Sequence, residues 1–114
     1  MKLFFILSGL FIVGCSSSSD EPTPTPQQNN NQTTTYNAHV KTIIDNNCIS
    51  CHSATTPAAG LPLTTYAEVK SAVQNNGLIS RINNSSNPMP QGGLMSQTNR
   101  STISDWEADG LLEN

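Results

Sequence analysis

Charge is scarce in this chain of 114 residues: five Lys and Arg stand against eight Asp and Glu, 11% in all, for a net charge of −3. A domain that grips nucleic acid by its phosphates needs a basic face, so nothing here points to nucleic acid. Aromatic residues are only 5% of the chain and the hydrophobic fraction is 35%. Much of that fraction lies in one N-terminal run, Leu3 to Val13. What remains is short of core, and below about 80 residues a folded domain usually needs a staple. At this length the chain allows one small domain at most. Cysteine is scarce too, with Cys15, Cys48 and Cys51 alone. No second C-x-x-C and no H-x-x-H is present to complete a four-ligand zinc site.

What is present is Cys48-Ile49-Ser50-Cys51-His52. A C-x-x-C-H run reads as an attachment site for c-type haem. Two thiols one helical turn apart can each add to a vinyl group of the macrocycle, giving two thioethers. The histidine that follows can bind the iron through one imidazole nitrogen and donate from the other to a backbone carbonyl, which fixes the ring. The competing readings are a zinc site, for which no second Cys or His pair exists, a thioredoxin-like dithiol, which wants a βαβ context where no strand pattern surrounds Cys48, and a chance C-x-x-C-H, rare in a chain with three cysteines. At these five residues the chain resembles the c-type cytochromes. One covalently held haem would also be the missing staple.

Residues 1–14 are read as an export signal. Lys2 is its positive start and Leu3 to Val13 an apolar stretch too short to span a membrane as a mature helix. The end, Val13-Gly14-Cys15, resembles a bacterial lipoprotein signal, which implies that Cys15 is lipidated and becomes the new N-terminus. The alternatives are an uncleaved anchor or an ordinary signal cleaved elsewhere. With lipid on Cys15 and haem on Cys48 and Cys51, no cysteine remains for a disulfide. Residues 15–35 then form a linker: Ser16 to Thr35 contain no hydrophobic residue, and the Pro22-Thr23-Pro24-Thr25-Pro26 alternation stiffens its first half.

The folded head is assigned to residues 36–114. Tyr36, Val40, Ile43, Ile44 and Cys48 recur every three or four positions, which predicts an amphipathic helix running into the C-x-x-C-H motif. His39 is out of phase with Cys48 and is read as a surface histidine. Pro57, Gly60 and Pro62 mark a loop, with Leu61 and Leu63 expected to fold back over a haem edge. Thr65-x-x-Glu68 has the capping-box form and predicts a helix burying Tyr66, Val69 and Val73, stopped at Asn75-Asn76-Gly77. A short helix follows over Leu78 to Ile82, and then turn-forming sequence from Asn83 to Gly93. Ser96 is placed to cap a last helix with Ile103 and Trp106 on one face, Gly110 as its stop and Leu111 packing back. Trp106 is read as core, facing the first helix. Tyr66, Arg81 and Arg100 are read as ordinary half-buried or surface residues, with propionate contacts as the alternative.

The order helix, C-x-x-C-H, loop, middle helix, Met-Pro loop and terminal helix resembles a small class I monohaem cytochrome c. The expected fold is all-α. The resemblance implies a histidine and a methionine as the two iron ligands. His52 matches the first and Met89, in Pro88-Met89-Pro90, the second, with Met95 as the other candidate. Met89 follows His52 by only 37 residues, so the fold would be a trimmed one. The implied function is one-electron transfer rather than enzymatic turnover. Redox-protein donors and acceptors would be the partners of a monomeric head, exported and tethered to a membrane of the cell envelope through Cys15. A haem-based sensor or peroxidase-like enzyme with an open distal site is the rival reading. A lipoprotein in which haem is only structural is the third.

Overall fold

The first helical segment uses two geometries. The computed structural model of the chain describes residues 32–114; Cys15, the expected signal segment 1–14 and most of the expected linker lie outside the described residues. A π-helical turn, Tyr36–Val40, closed by the Lys41 N–H on the Tyr36 carbonyl, runs into α1, Lys41–Asn47. The sequence explains the wide turn. Tyr36, Val40, Ile44 and Cys48 are spaced by four, and at 3.6 residues per turn such a stripe drifts about 40° at each step. A turn closed five residues on is wider and offsets the drift, so Tyr36, Val40 and Ile44 are all buried.

Thr65 opens α2, Tyr66–Asn75, with both halves of the capping box: its hydroxyl accepts from the Glu68 N–H and the Glu68 carboxylate accepts from the Thr65 N–H. Gly77, at φ +65°, ends the helix and opens α3, Leu78–Ile82. Ser96 caps α4, Gln97–Ala108, by accepting from the Asn99 N–H at 3.2 Å. Past α4 the Gly110 N–H bonds the Glu107 carbonyl and the Leu111 N–H the Trp106 carbonyl. That pair of bonds is a Schellman motif, and Gly110 has the positive φ, +95°, that it requires.

The protein is all-α among the described residues, with one isolated parallel bridge between Thr35 and Leu112 in place of a sheet. The core joins Tyr36, Val40 and Ile44 to Val69, Ala72 and Val73 of α2, Leu78 and Ile82 of α3, and Ile103 and Trp106 of α4. Leu63, Met95 and Leu111 enter it from the connections. Trp106 is fully buried, its ring 5.7 Å from that of Tyr36 and 6.3 Å from that of Tyr66, and its indole N–H donates to the Leu112 carbonyl. The folded unit takes in the end of the polar stretch: the Thr34 N–H bonds the Asp109 carboxylate, and the Tyr36 and Asn37 N–H groups bond the Leu112 and Glu113 carbonyls. Among the described residues no helix is long and apolar enough to cross a membrane.

Candidate haem-attachment site

The C-x-x-C-H residues form the turn that ends α1. The Cys48 N–H makes the last helical bond, to the Ile44 carbonyl at 2.8 Å. The Cys48 carbonyl then accepts from both the Cys51 and the His52 N–H groups, at 3.2 and 2.9 Å. Cys48, Cys51 and His52 are thereby wound into a single turn. Both cysteines are free, Cys48 half-buried against the core and Cys51 exposed. Burial pushes the Cys48 thiol up to about 11.

The loop after the motif folds back onto it. The Ala58 N–H bonds the Cys51 carbonyl and the Leu63 N–H bonds the His52 carbonyl, at 2.8 and 3.0 Å. This brings the Leu61 carbonyl to 2.7 Å from His52 Nδ1. A carbonyl only accepts, so the proton of a neutral ring sits on Nδ1 and the lone pair is left on Nε2. An imidazole that ligates a metal through Nε2 needs that tautomer. Leu61 also lines an open groove of about 280 Å³ with Pro62, Ala67, Glu68 and Ser71. Leu63, by contrast, is a core residue.

The two methionines occupy different surroundings. Met95 is buried at 7% exposure, inside the core. Met89 is half-buried in the loop between α3 and α4, and its N–H donates to the Arg81 carbonyl at 3.2 Å. Backbone bonds thus unite Cys48, Cys51 and His52, whereas Met89 is held separately, from the end of α3. The second histidine is committed elsewhere: His39 Nδ1 accepts from the Thr35 N–H at 3.0 Å. The Tyr66 hydroxyl donates to the Leu111 carbonyl at 2.8 Å, and Arg100 bonds the Met95 carbonyl, Asn83 and Gln97.

Among the described residues no three His, Cys, Asp or Glu side chains converge as a metal site. The chemistry one turn does bring together is two free thiols, on Cys48 and Cys51, and an imidazole whose Nδ1 is held, the groups that covalent haem attachment would use; the Met89 thioether stands apart in its own loop. The sequence leads one to expect a backbone carbonyl on the His52 ring but not that Leu61 supplies it, and it gives no sight of the bonds that hold the Met89 loop; the Asn- and Ser-rich composition of that loop was the available signal for the second. Comparison of the chain with protein-family models, with curated proteins and with solved structures finds no match.

Proposed function

We propose that the head is a small electron-transfer domain of class I cytochrome c type, carrying one haem c on Cys48 and Cys51, with His52 and Met89 as its axial ligands. The observation that carries the reading is the His52 ring, set directly after two free thiols on one turn and held by the Leu61 carbonyl at 2.7 Å with Nε2 left to ligate. When bound, the group supplies a one-electron iron couple whose potential a thioether ligand raises.

The chain's own residues supply the rest. Cys48 and Cys51 would fix the group to the end of α1, and the Leu61 carbonyl keeps the His52 ring from turning. Met89, as a second iron ligand, would leave substrate no place on the metal, which is why the reading is a carrier rather than a sensor or peroxidase-like enzyme. His39, the other described imidazole, lies in the Tyr36–Val40 turn at the far end of the first helical segment from Cys48, with Nδ1 accepting from the Thr35 N–H. The carrier would be exported, lipidated at Cys15 and tethered beside membrane-bound redox partners.

Optical redox titration of the holoprotein tests this. The expected result is reversible uptake of one electron per chain, with a long-wavelength methionine-to-iron charge-transfer band in the ferric form. A five-coordinate ferric protein that turns over hydrogen peroxide would establish the rival reading instead.

A further inference from the structure

The loop before Met89 reads Asn83-Asn84-Ser85-Ser86-Asn87-Pro88, without one hydrophobic side chain to anchor it. It is nonetheless tied at several points. The Arg81 carbonyl, at the end of α3, accepts from both ends of the loop: from the Asn84 N–H at 3.4 Å and from the Met89 N–H at 3.2 Å. Inside that ring the Asn84 side chain does what a hydrophobic anchor would do elsewhere. Its Oδ1 accepts from the Ser86 N–H at 2.9 Å and from the Asn87 N–H at 3.1 Å. The Arg81 guanidinium closes the far side on Asn87 Oδ1 at 3.4 Å, and Arg100 holds the preceding Asn83 at 2.9 Å.

We infer that Asn84 is the positioning residue for the Met89 thioether, an inference that rests on Met89 being an iron ligand. A thioether is a weak neutral ligand, so it keeps the sixth position only if little ordering remains to be done when it binds. Pro88 and Pro90 stiffen the backbone at Met89 but do not fix where the loop stands relative to α3. The two bonds on Asn84 Oδ1 fix the path from the Arg81 carbonyl to Asn87, and Met89 follows two residues later. Only an acceptor oxygen at this position can serve two N–H groups at once, so Asp can replace Asn and Ala cannot.

The test uses ferric holoprotein, with imidazole as an exogenous ligand competing for the sixth position and amide exchange read at Met89. Asn84→Ala is expected to raise imidazole affinity about tenfold, the scale set by losing two hydrogen bonds, and to speed exchange of the Met89 N–H. Asn84→Asp is expected to restore both to near the wild-type values. Circular dichroism of each variant monitors the helices, which Asn84 does not hold. If Met89→Ala raises imidazole affinity while Asn84→Ala leaves it and the exchange unchanged, the inference falls and the haem reading stands. If Asn84→Ala and Asn84→Asp behave alike, the acceptor oxygen is not the cause and the inference falls too. If Met89→Ala itself leaves imidazole affinity at the wild-type value, Met89 is not the ligand and both fall together.

Discussion

On the proposed reading the half-buried Met89 and the buried Met95 do different work, and the difference is measurable one residue at a time. Met95 sits in the core at 7% exposure, so Met95→Ala should cost about 2–5 kcal/mol of stability through lost contacts and a cavity. It should leave the methionine charge-transfer band of the holoprotein in place. Met89→Ala should do the reverse, removing the band and lowering the potential with a smaller loss of stability. Thermal melts and ferric spectra of the two variants decide it, and loss of the band in Met95→Ala would reverse the ligand assignment. Glu68 gives a pH signature. Its carboxylate accepts from the Thr64 N–H and hydroxyl and from the Thr65 N–H, and those bonds, the Thr64 N–H first, hold its pKa below the ordinary 4.5. A carboxylate with a depressed folded pKa adds stability above its unfolded pKa, and that stability is lost as pH falls through the folded value. Glu68→Gln should therefore melt below wild type at neutral pH, and the gap should close on acidification below about 4.5. A gap that stays constant down to acid pH would show that the charge contributes nothing.

At the scale of elements the helix ends carry the argument, because their chemistry is local. Thr65 with Glu68, Gly77, Ser96 and Gly110 each act within a few residues, and the boundaries of α2, α3 and α4 were legible from them. Gly110→Ala forces a side chain onto φ +95° and should cost about 1–2 kcal/mol. The denaturant midpoint should fall with the slope unchanged; an unmoved midpoint would mean that the Schellman turn does not hold the end of α4. What the sequence concealed was of three kinds. The π turn at Tyr36–Val40 reconciles a four-residue spacing with burial, and periodicity alone reads that spacing as ordinary helix. The partner of His52 is the Leu61 carbonyl, and a main-chain group has no residue-type signature. The pairing of residues 34–37 with residues 109–114 joins segments some 75 positions apart, and no local pattern announces it. The all-α class and most of the helix ends were thus readable in advance, and the main-chain bonds around His52 and Met89 were not.

Across the whole molecule, the residues that lead into the head and the C-x-x-C-H turn lie at opposite ends of the first helical segment. Thr35 is bridged to Leu112, and the residues from Tyr36 to Cys48 rise by about 18 Å at 1.5 Å each. On the proposed reading a tether would join the head near Thr35, at the end of the first helical segment remote from Cys48 and Cys51. On the proposed reading Cys15→Ser should release the protein from membranes, or leave its precursor unprocessed, without changing the spectrum of the head. If that variant is processed and membrane-bound as before, the anchor lies elsewhere. On the proposed reading Cys48 and Cys51 carry a covalent haem, and intact-mass spectrometry tests that most directly. Chain exported in a host that matures c-type haem, then extracted with acidic organic solvent, should retain the mass of one haem. The Cys48→Ser/Cys51→Ser variant should retain none. A wild-type chain that emerges at the mass of the polypeptide alone would contradict the account.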